Sequence, residues 1–392
     1  MTRPNLVVLA PIAPALTGNG LAMRAHLLAE AAGRGHDVHV IVIAVAGHQP
    51  APSNFGKGTA SVVDVAPARP VSLVPWVADP RWRERLGRLA PLPAPVLAAP
   101  PSLAAELASG LPASGASAVL ALRLSLAPLG LALAELLDVP LIVDADDDDA
   151  DFLRQSGQPD EAAAWDRVAQ LCLPAASLVT ASSAAVASTL SARHHLVPPV
   201  QVVPNAVSIP DRVAEPEAAS VPARLLVVAN FTYPPNSAGA RWLVGNVVPL
   251  LDPPWSLNLV GAAGPEVRAL AGDRVVVHGW VPDVAPHYES ASVVAVPVMA
   301  GSGTRIKLLE AMARGRPVVT TTVGAAGLAV RPGLHALFAD NPPAFADAVR
   351  AANDPGRSRR LVEAASLLVR EQYDASVVAA SAAGLLSVVT DP

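Results

Sequence analysis

Leu6-Val7-Val8-Leu9-Ala10, the loop Pro11–Gly20, the stretch Leu21–Ala32 and the run Val38-His39-Val40-Ile41-Val42-Ile43-Ala44 together decide the fold class. An unbroken apolar run such as Leu6–Ala10 suits a parallel strand buried on both faces. Leu21, Leu28 and Ala32 fall near helical spacing, and Gly33 and Gly35 stop the helix before the second strand begins at Val38. Strand, helix and strand at this spacing form a βαβ unit, whose crossover should be right-handed. Arg3, Leu6–Ala10 and Ala13-Pro14-Ala15 also have the outline of a secretion signal. The strand reading is preferred, because cleavage there would remove the first strand of the unit.

Outward from this unit, Ala46–Pro101 is proline-rich and weakly patterned. Alternation then resumes with strand Ala118–Leu122, helix Leu126–Leu137 and strands Pro140–Val143, Leu178–Thr180 and Val200–Val203. Ser208–Pro222 carries prolines and acids without periodicity and reads as a linker. A second series follows: strand Arg224–Ala229, helix Gly239–Leu250, strands Leu257–Val260, Val275–His278 and Val293–Val296, helix Thr304–Arg314 and strand Pro317–Thr320. Helices are expected from Pro342 onward. The expected fold is α/β, two Rossmann-like domains facing across a cleft, with ligands outside the carboxyl ends of the strands. The domains are expected at 1–207 and 208–372, with a last helix at about 373–392 packing back on the first.

Composition narrows the function classes. A chain of 392 residues exceeds one ordinary core. The hydrophobic fraction of 52% and mean hydropathy of +0.40 raise the question of membrane spans. The best candidate, Ala118–Leu137, contains Arg123, Pro128 and Glu135 and is rejected. Cys172 is the sole cysteine, so no intrachain disulfide or thiolate metal cluster can form, and a cytoplasmic location is expected. A net charge of -5 argues against nucleic-acid partners. Only Lys57 and Lys307 are lysines, which draws attention to any site that retains the compact ammonium group.

The strongest chemical signal is Pro297-Val298-Met299-Ala300-Gly301-Ser302-Gly303-Thr304-Arg305-Ile306-Lys307-Leu308-Leu309-Glu310-Ala311-Met312. It places a glycine turn after a buried strand and a helix start near Thr304. Unpaired N–H groups at a helix start suit phosphate, and Gly301 and Gly303 allow close backbone approach. Gly303, Lys307 and Glu310 share one helix face, while Ile306, Leu309 and Ala313 share another that can pack on the sheet. Arg305 and Lys307 can neutralise a diphosphate, and Glu310 can accept hydrogen bonds from vicinal ribose hydroxyls. An ordinary amphipathic surface helix is the bland alternative.

This segment, with Gly315-Arg316-Pro317-Val318-Val319-Thr320-Thr321 and Gly324-Ala325-Ala326-Gly327-Leu328, closely resembles the retaining GT-B glycosyltransferases of the family 4 type. Gly18-Asn19-Gly20 is similar to the family's glycine loop and Gly35-His36-Asp37-Val38 to its turn into the second strand. Val203-Pro204-Asn205-Ala206-Val207 resembles its hinge signature, and His278-Gly279-Trp280-Val281 its loop near the base. The resemblance implies an N-terminal acceptor domain, a C-terminal donor domain and a nucleoside-diphosphate sugar as donor, with no cofactor and no metal. It implies donor contacts from Gly18, Asn19, Gly20, Asn205, Trp280, Gly301, Ser302, Gly303, Thr304, Arg305, Lys307 and Glu310, with Arg305 and Lys307 stabilising the leaving diphosphate. It departs from the family at Ser302, where a glutamate serving the donor sugar is usual, and at Asn230–Asn236, which carries no cation. Gly47–Pro112 has no counterpart in the resemblance.

Other candidates remain open beside these. The acidic run Asp144, Asp146, Asp147, Asp148 and Asp149 could be a magnesium site, a solvated loop or an acceptor contact through Asp146, which is also the candidate for catalysis on the acceptor side. Arg123 follows a buried strand and is either an acceptor contact or a capping or surface residue. His26, His36, His194 and His195 read as structural. Arg81, Trp82, Arg83, Arg85 and Arg88 could touch an anionic bilayer, with Trp82 at the interface, or form a solvated helix. The expected acceptor is a small molecule, a glycan or a lipid-linked sugar. An NAD-dependent oxidoreductase would need a third glycine where Met23 stands and an acid after the second strand. A nucleotide-sugar epimerase or a non-catalytic sugar-nucleotide binding protein remain as alternatives.

Overall fold

The computed structural model describes residues 3–43, 60–65, 82–85, 91–112, 115–213, 223–300 and 305–390. Its contacts divide the chain into two units, Met1–Ala206 with Val378–Pro392, and Val207–Val377. Each unit is built on one parallel sheet.

In the first unit the strands are β1 (Asn5–Ala10), β2 (Asp37–Ile43), β3 (Ala60–Val65), β4 (Ala118–Leu122), β5 (Leu141–Asp146), β6 (Leu178–Ala181) and β7 (Gln201–Val202), ordered β3-β2-β1-β4-β5-β6-β7. β1 lies between β2 and β4, with Leu6 opposite Val38 on one side and Ala118 on the other. Every residue of β1 is buried, which suits the apolar run Leu6–Ala10, and the buried Asn5 at its start donates to the Gly115 carbonyl at 2.6 Å. Helix α1 (Gly20–Gly33) connects β1 to β2. Leu126, Leu129 and Leu133 of the segment leading into and along α2 (Ala127–Leu137) close the core over Val7, Leu9, Val119 and Ala121.

The second unit carries β8 (Arg224–Val228), β9 (Ser256–Val260), β10 (Val275–Gly279), β11 (Val293–Val296), β12 (Val318–Thr320) and β13 (Leu337–Phe338), ordered β10-β9-β8-β11-β12-β13. Its core joins Leu225, Val227, Leu259 and Ala295 to Leu243, Val247, Phe345 and Val349. Trp242 meets Phe345 edge-on at 5.3 Å between ring centroids. In both sheets the strand order reverses direction beside the first strand, between β1 and β4 and between β8 and β11. Loops leaving the carboxyl ends of those strands flank a topological switch point, the usual ligand position in such sheets. In the second unit the helix after β8 packs closely on the segment leaving β11: a Cβ added at Gly239 would come 2.1 Å from the Pro297 carbonyl oxygen. Only glycine permits that approach.

Most expected elements are present, with several differences. The strand read as Pro140–Val143 runs on to Asp146, so two aspartates of the acidic run belong to the sheet. The helix read as Gly239–Leu250 begins earlier, as α3 (Pro234–Trp242), and ends in a π turn, Leu243–Val247, and a 3-10 turn, Val248–Leu250. Pro234 and Pro235 open that helix, because proline at the first helical positions lacks only an N–H that has no intrahelical partner there. The proline-rich region contains β3 and short helices at Ala94–Leu97 and Ala104–Ser109 that its weak pattern concealed.

The basic aromatic segment also differs from expectation. Trp82 is fully buried in the first unit's core, so it offers no ring to a bilayer interface. Arg85 stacks 4.9 Å from its ring centroid and donates to both oxygens of Glu135, at 3.1 and 2.7 Å. Burial of the indole outweighs its interfacial preference because the core offers it full apolar contact. Arg83 is exposed, while Arg81 and Arg88 lie outside the described residues. No helix among the described residues is long and apolar enough to cross a membrane.

Candidate functional site

In the second unit, helix α4 (Ile306–Ala313) follows β11 and starts two residues later than the sequence suggested, with Arg305 as its N-cap rather than a helical residue. Gly301, Ser302, Gly303 and Thr304 lie outside the described residues. Leu308, Leu309, Ala311, Met312 and Ala313 of α4 are all buried. Lys307 and Glu310 occupy its half-buried remaining face.

Lys307 is tied to the first turn of α3, which the loop Asn230–Tyr233 joins to β8. Its Nζ donates to Asn236 Oδ1 at 2.6 Å. Asn236 Nδ2 in turn donates to the Asn230 carbonyl at 2.7 Å, and Asn230 Oδ1 accepts from the Thr232 backbone N–H and hydroxyl, at 3.1 and 2.7 Å. The cation-free loop therefore anchors the ammonium instead of supplementing its charge. Burial, and then Arg305, pull the Lys307 ammonium down to about 8, with Glu310 opposing. Burial pushes the Glu310 carboxyl up to about 7, against the pull of Arg314 and Lys307. Trp280 stands 74% exposed after β10. Nearby, His278 is 2.8 Å from Asn258 Oδ1 and packs edge-on against His287.

In the first unit, Gly18 has φ +96°, which glycine adopts without strain, and leads into Asn19. Asn19 caps α1 by accepting from the Leu21 N–H at 2.9 Å, and Gly20 is the first residue of the helix.

One turn further along α1 sits Arg24, which sequence reading missed. Its side chain is fully buried. Nε and Nη2 donate to the two oxygens of Asp144, both at 2.6 Å. Nη1 donates to the Val203 carbonyl at 3.0 Å and to Asn205 Oδ1 at 3.1 Å. Burial alone would lower the guanidinium's proton affinity, yet Asp144 and Asp146 hold it higher still. A signal was available: Arg24 falls between Leu21 and Leu28 at helical spacing, which puts a charge on the apolar stripe.

The acidic run proves neither a solvated loop nor a single site. Asp144 is fully buried and accepts from Thr180 Oγ1 at 2.6 Å as well as from Arg24. Asp146, at φ +58°, is 3.1 Å from Arg123 Nη1 and 3.4 Å from Arg24 Nε, and Asn205 Nδ2 lies 3.5 Å from its Oδ1. Arg123, also at positive φ, reaches Asp147 at 3.7 Å and Asp149 at 2.5 Å. Asp148 caps the helix Asp149–Gln155 by accepting from the Asp151 N–H, and pairs with Arg193 at 2.7 Å. Arg123 is thus the counter-ion of the run, not a surface residue. Two guanidiniums face four carboxylates here, and the excess negative charge shows. Burial, and then Asp146, push the Asp147 carboxyl up to about 7, and burial raises Asp149. Among the described residues no group of three or more His, Cys, Asp or Glu side chains is arranged to hold a metal ion.

Comparison with known proteins adds the family. A model described as Glycosyltransferase Family 4 matches residues 18–209, and one described as glycosyl transferases group 1 matches residues 222–353. The chain belongs to the family 4, group 1 glycosyltransferases. The oxidoreductase and epimerase readings fall with that assignment. No curated protein matches the transferase in sequence. Among solved structures, Anabaena Alr3699/HepE in complex with UDP and glucose aligns with a TM-score of 0.72 at 16% identity, covering 98% of this chain and 100% of that one. Sucrose-phosphate synthase from Thermosynechococcus elongatus gives 0.70 at 20% identity, over 98% and 99% of the two chains. A glycosyltransferase from Rickettsia africae ESF-5 gives 0.69 at 12% identity, over the full length of both. At these identities the likeness establishes the GT-B fold. In the transferase the sequence-derived candidates fall into two groups: Arg305, Lys307 and Glu310 around α4, and Asn205, Asp146 and Arg123 around the Arg24 network.

Proposed function

We propose that this transferase moves a sugar from a nucleoside-diphosphate sugar to an acceptor hydroxyl, with retention of anomeric configuration and without a divalent metal. The observation that carries the reading is α4: a cation pair and a carboxylate at its start, after a switch-point strand, in a family 4 chain. The donor unit is the second, and the acceptor unit the first. Arg305, Lys307 and the backbone of Gly301–Thr304 hold the diphosphate, Glu310 reads the ribose, and Trp280 lies toward the base. Gly18, Asn19, Gly20 and Asn205 complete the donor site, and Asp146 and Arg123 face the acceptor, which is a small molecule, a glycan or a lipid-linked sugar. The UDP and glucose bound to HepE make uridine donors the first to test. A cytoplasmic location is part of the proposal, in keeping with a lone cysteine that is buried.

The bond between the anomeric carbon and the diphosphate oxygen breaks with both electrons leaving on the diphosphate. Arg305 and Lys307 stabilise that charge as it develops. The acceptor oxygen bonds to the anomeric carbon from the same face, and its proton passes to the departing phosphate oxygen. Incubation with a panel of nucleotide sugars and simple glycoside acceptors in excess EDTA should yield a product with the donor's anomeric configuration by NMR. An inverted product, or activity restored from EDTA only by magnesium or manganese, would overturn the mechanism.

The site's proton affinities set a pH window. Glu310 accepts from both vicinal ribose hydroxyls most strongly when ionised, so donor affinity should fall as pH drops through about 7. Lys307 serves the diphosphate only when protonated, so affinity should also fall as pH rises through about 8. Calorimetric titration of a bound nucleoside diphosphate should therefore give its tightest binding between about 7 and about 8. Flat affinity from about pH 6 to about pH 9 would mean that neither group meets the ligand.

A further inference from the structure

Tyr288 stands in the helix Ala285–Glu289, between β10 and β11. It is 1% exposed, and its hydroxyl has no hydrogen-bond partner. A buried phenolic O–H without a partner is costly, and such groups normally find one. The ring itself is well used: the guanidinium of Arg314, the C-cap residue of α4 one turn beyond Glu310, lies over it at 5.1 Å. Glu310 is the negative charge that acts on the hydroxyl, raising its proton affinity together with burial, while Arg314 opposes. The charged groups acting on Glu310 are Arg314 and Lys307, from its own helix. No group on the helix Pro355–Gln372 is among them. Tyr288 is thus a buried donor without a partner, lying under the guanidinium one turn from Glu310, whose carboxyl burial pushes up.

We propose that Tyr288 is a positioning residue for Glu310: its unpaired hydroxyl donates to the Glu310 carboxylate once a nucleoside diphosphate is bound, fixing the carboxylate to accept from the ribose hydroxyls. This rests on the assignment of Glu310 to the donor site. It explains why a buried donor is left without a partner in the free protein: the hydrogen bond it makes belongs to the bound state. Phenylalanine would fill the same space at no polar cost, so packing alone gives no reason for the hydroxyl.

Tyr288→Phe separates the two roles. The wild type, Tyr288→Phe, Glu310→Gln and the double variant are titrated calorimetrically with UDP, dTDP, GDP, ADP and CDP, and the tightest ligand is followed across pH. Tyr288→Phe should melt no lower than wild type and should lose about tenfold in affinity above pH ~7.5. The loss should shrink toward nothing at about pH 5.5, where Glu310 carries a proton and no longer needs the donor. In the Glu310→Gln background the same substitution should change affinity less than about twofold. A pH-independent loss, or no loss while Glu310→Gln still weakens binding, overturns the role given to Tyr288 and leaves the donor site standing. If Glu310→Gln binds like wild type, or no diphosphate binds, the donor-site assignment fails and this inference with it.

Discussion

Replacing Arg24 with methionine should destabilise the transferase by about 3–5 kcal/mol, the cost of removing one partner from a buried ion pair. Arg24 and Asp144 are both fully buried, and two hydrogen bonds of 2.6 Å join them. Methionine fills much of the stem's volume, so the loss reports the polar end and not a large cavity. What remains is a carboxylate in the core with only Thr180 to donate to it, and a Val203 carbonyl without its guanidinium donor. Urea unfolding followed by circular dichroism measures the effect. The double variant Arg24→Met with Asp144→Leu should be less destabilised than Arg24→Met alone, because it no longer leaves a lone charge behind. A loss below about 1 kcal/mol in the single variant would show that the pair is not what holds α1 to β5. A functional consequence should accompany the structural one. Asn205 loses the donor to its Oδ1 and Asp146 loses one of its two guanidiniums, so turnover should fall even where the protein stays folded.

The second large effect concerns Lys307. Lys307→Ala should lower donor affinity by about 1.5–3 kcal/mol, roughly 10- to 150-fold, since a charge-assisted contact to phosphate is lost. Turnover should fall with it, because the leaving diphosphate gains charge in the transition state. Arg305 cannot compensate fully. The two cations face one diphosphate, so their single and double losses should be coupled rather than additive. Thr232 and Tyr233 are exposed on the loop that leads into α3, whose first turn holds Asn236, the residue to which Lys307 donates. Thr232→Arg or Tyr233→Lys should therefore partly rescue Lys307→Ala. Titrations at low and moderate salt, with circular dichroism to confirm folding, decide the matter. Normal affinity in Lys307→Ala, or no rescue by either loop cation, would place the diphosphate elsewhere.

Local sequence carried much of this protein. Apolar runs such as Leu6–Ala10, Ala118–Leu122 and Val293–Val296 became buried parallel strands because a strand covered on both faces takes its apolar side chains out of water on each side. Gly33 and Gly35 marked where α1 ends, a signal that is local by nature. Spacing on α4 put Lys307 and Glu310 on one face, and helical geometry alone requires that.

Other features depended on residues far apart in the chain. Arg24 and Asp144 are separated by 120 residues, and no period or cap links them. Without that pairing, Asp144 and Asp146 read as loop acids; with it, they become buried strand residues. Trp82 and its arginines were open to a bilayer contact or a solvated helix until the core claimed the ring and Glu135 claimed Arg85. Tyr288 had no sequence signal at all, since an unpaired hydroxyl is a property of what surrounds it. Periodicity and capping are set by neighbours within a few residues, so the sequence alone determined the elements and the helix that bears Lys307 and Glu310. Charge compensation in a low-dielectric interior is set by whatever the fold brings within a few ångströms, so only the tertiary structure decided which acids are buried, which cation each one holds, and which donor is left waiting.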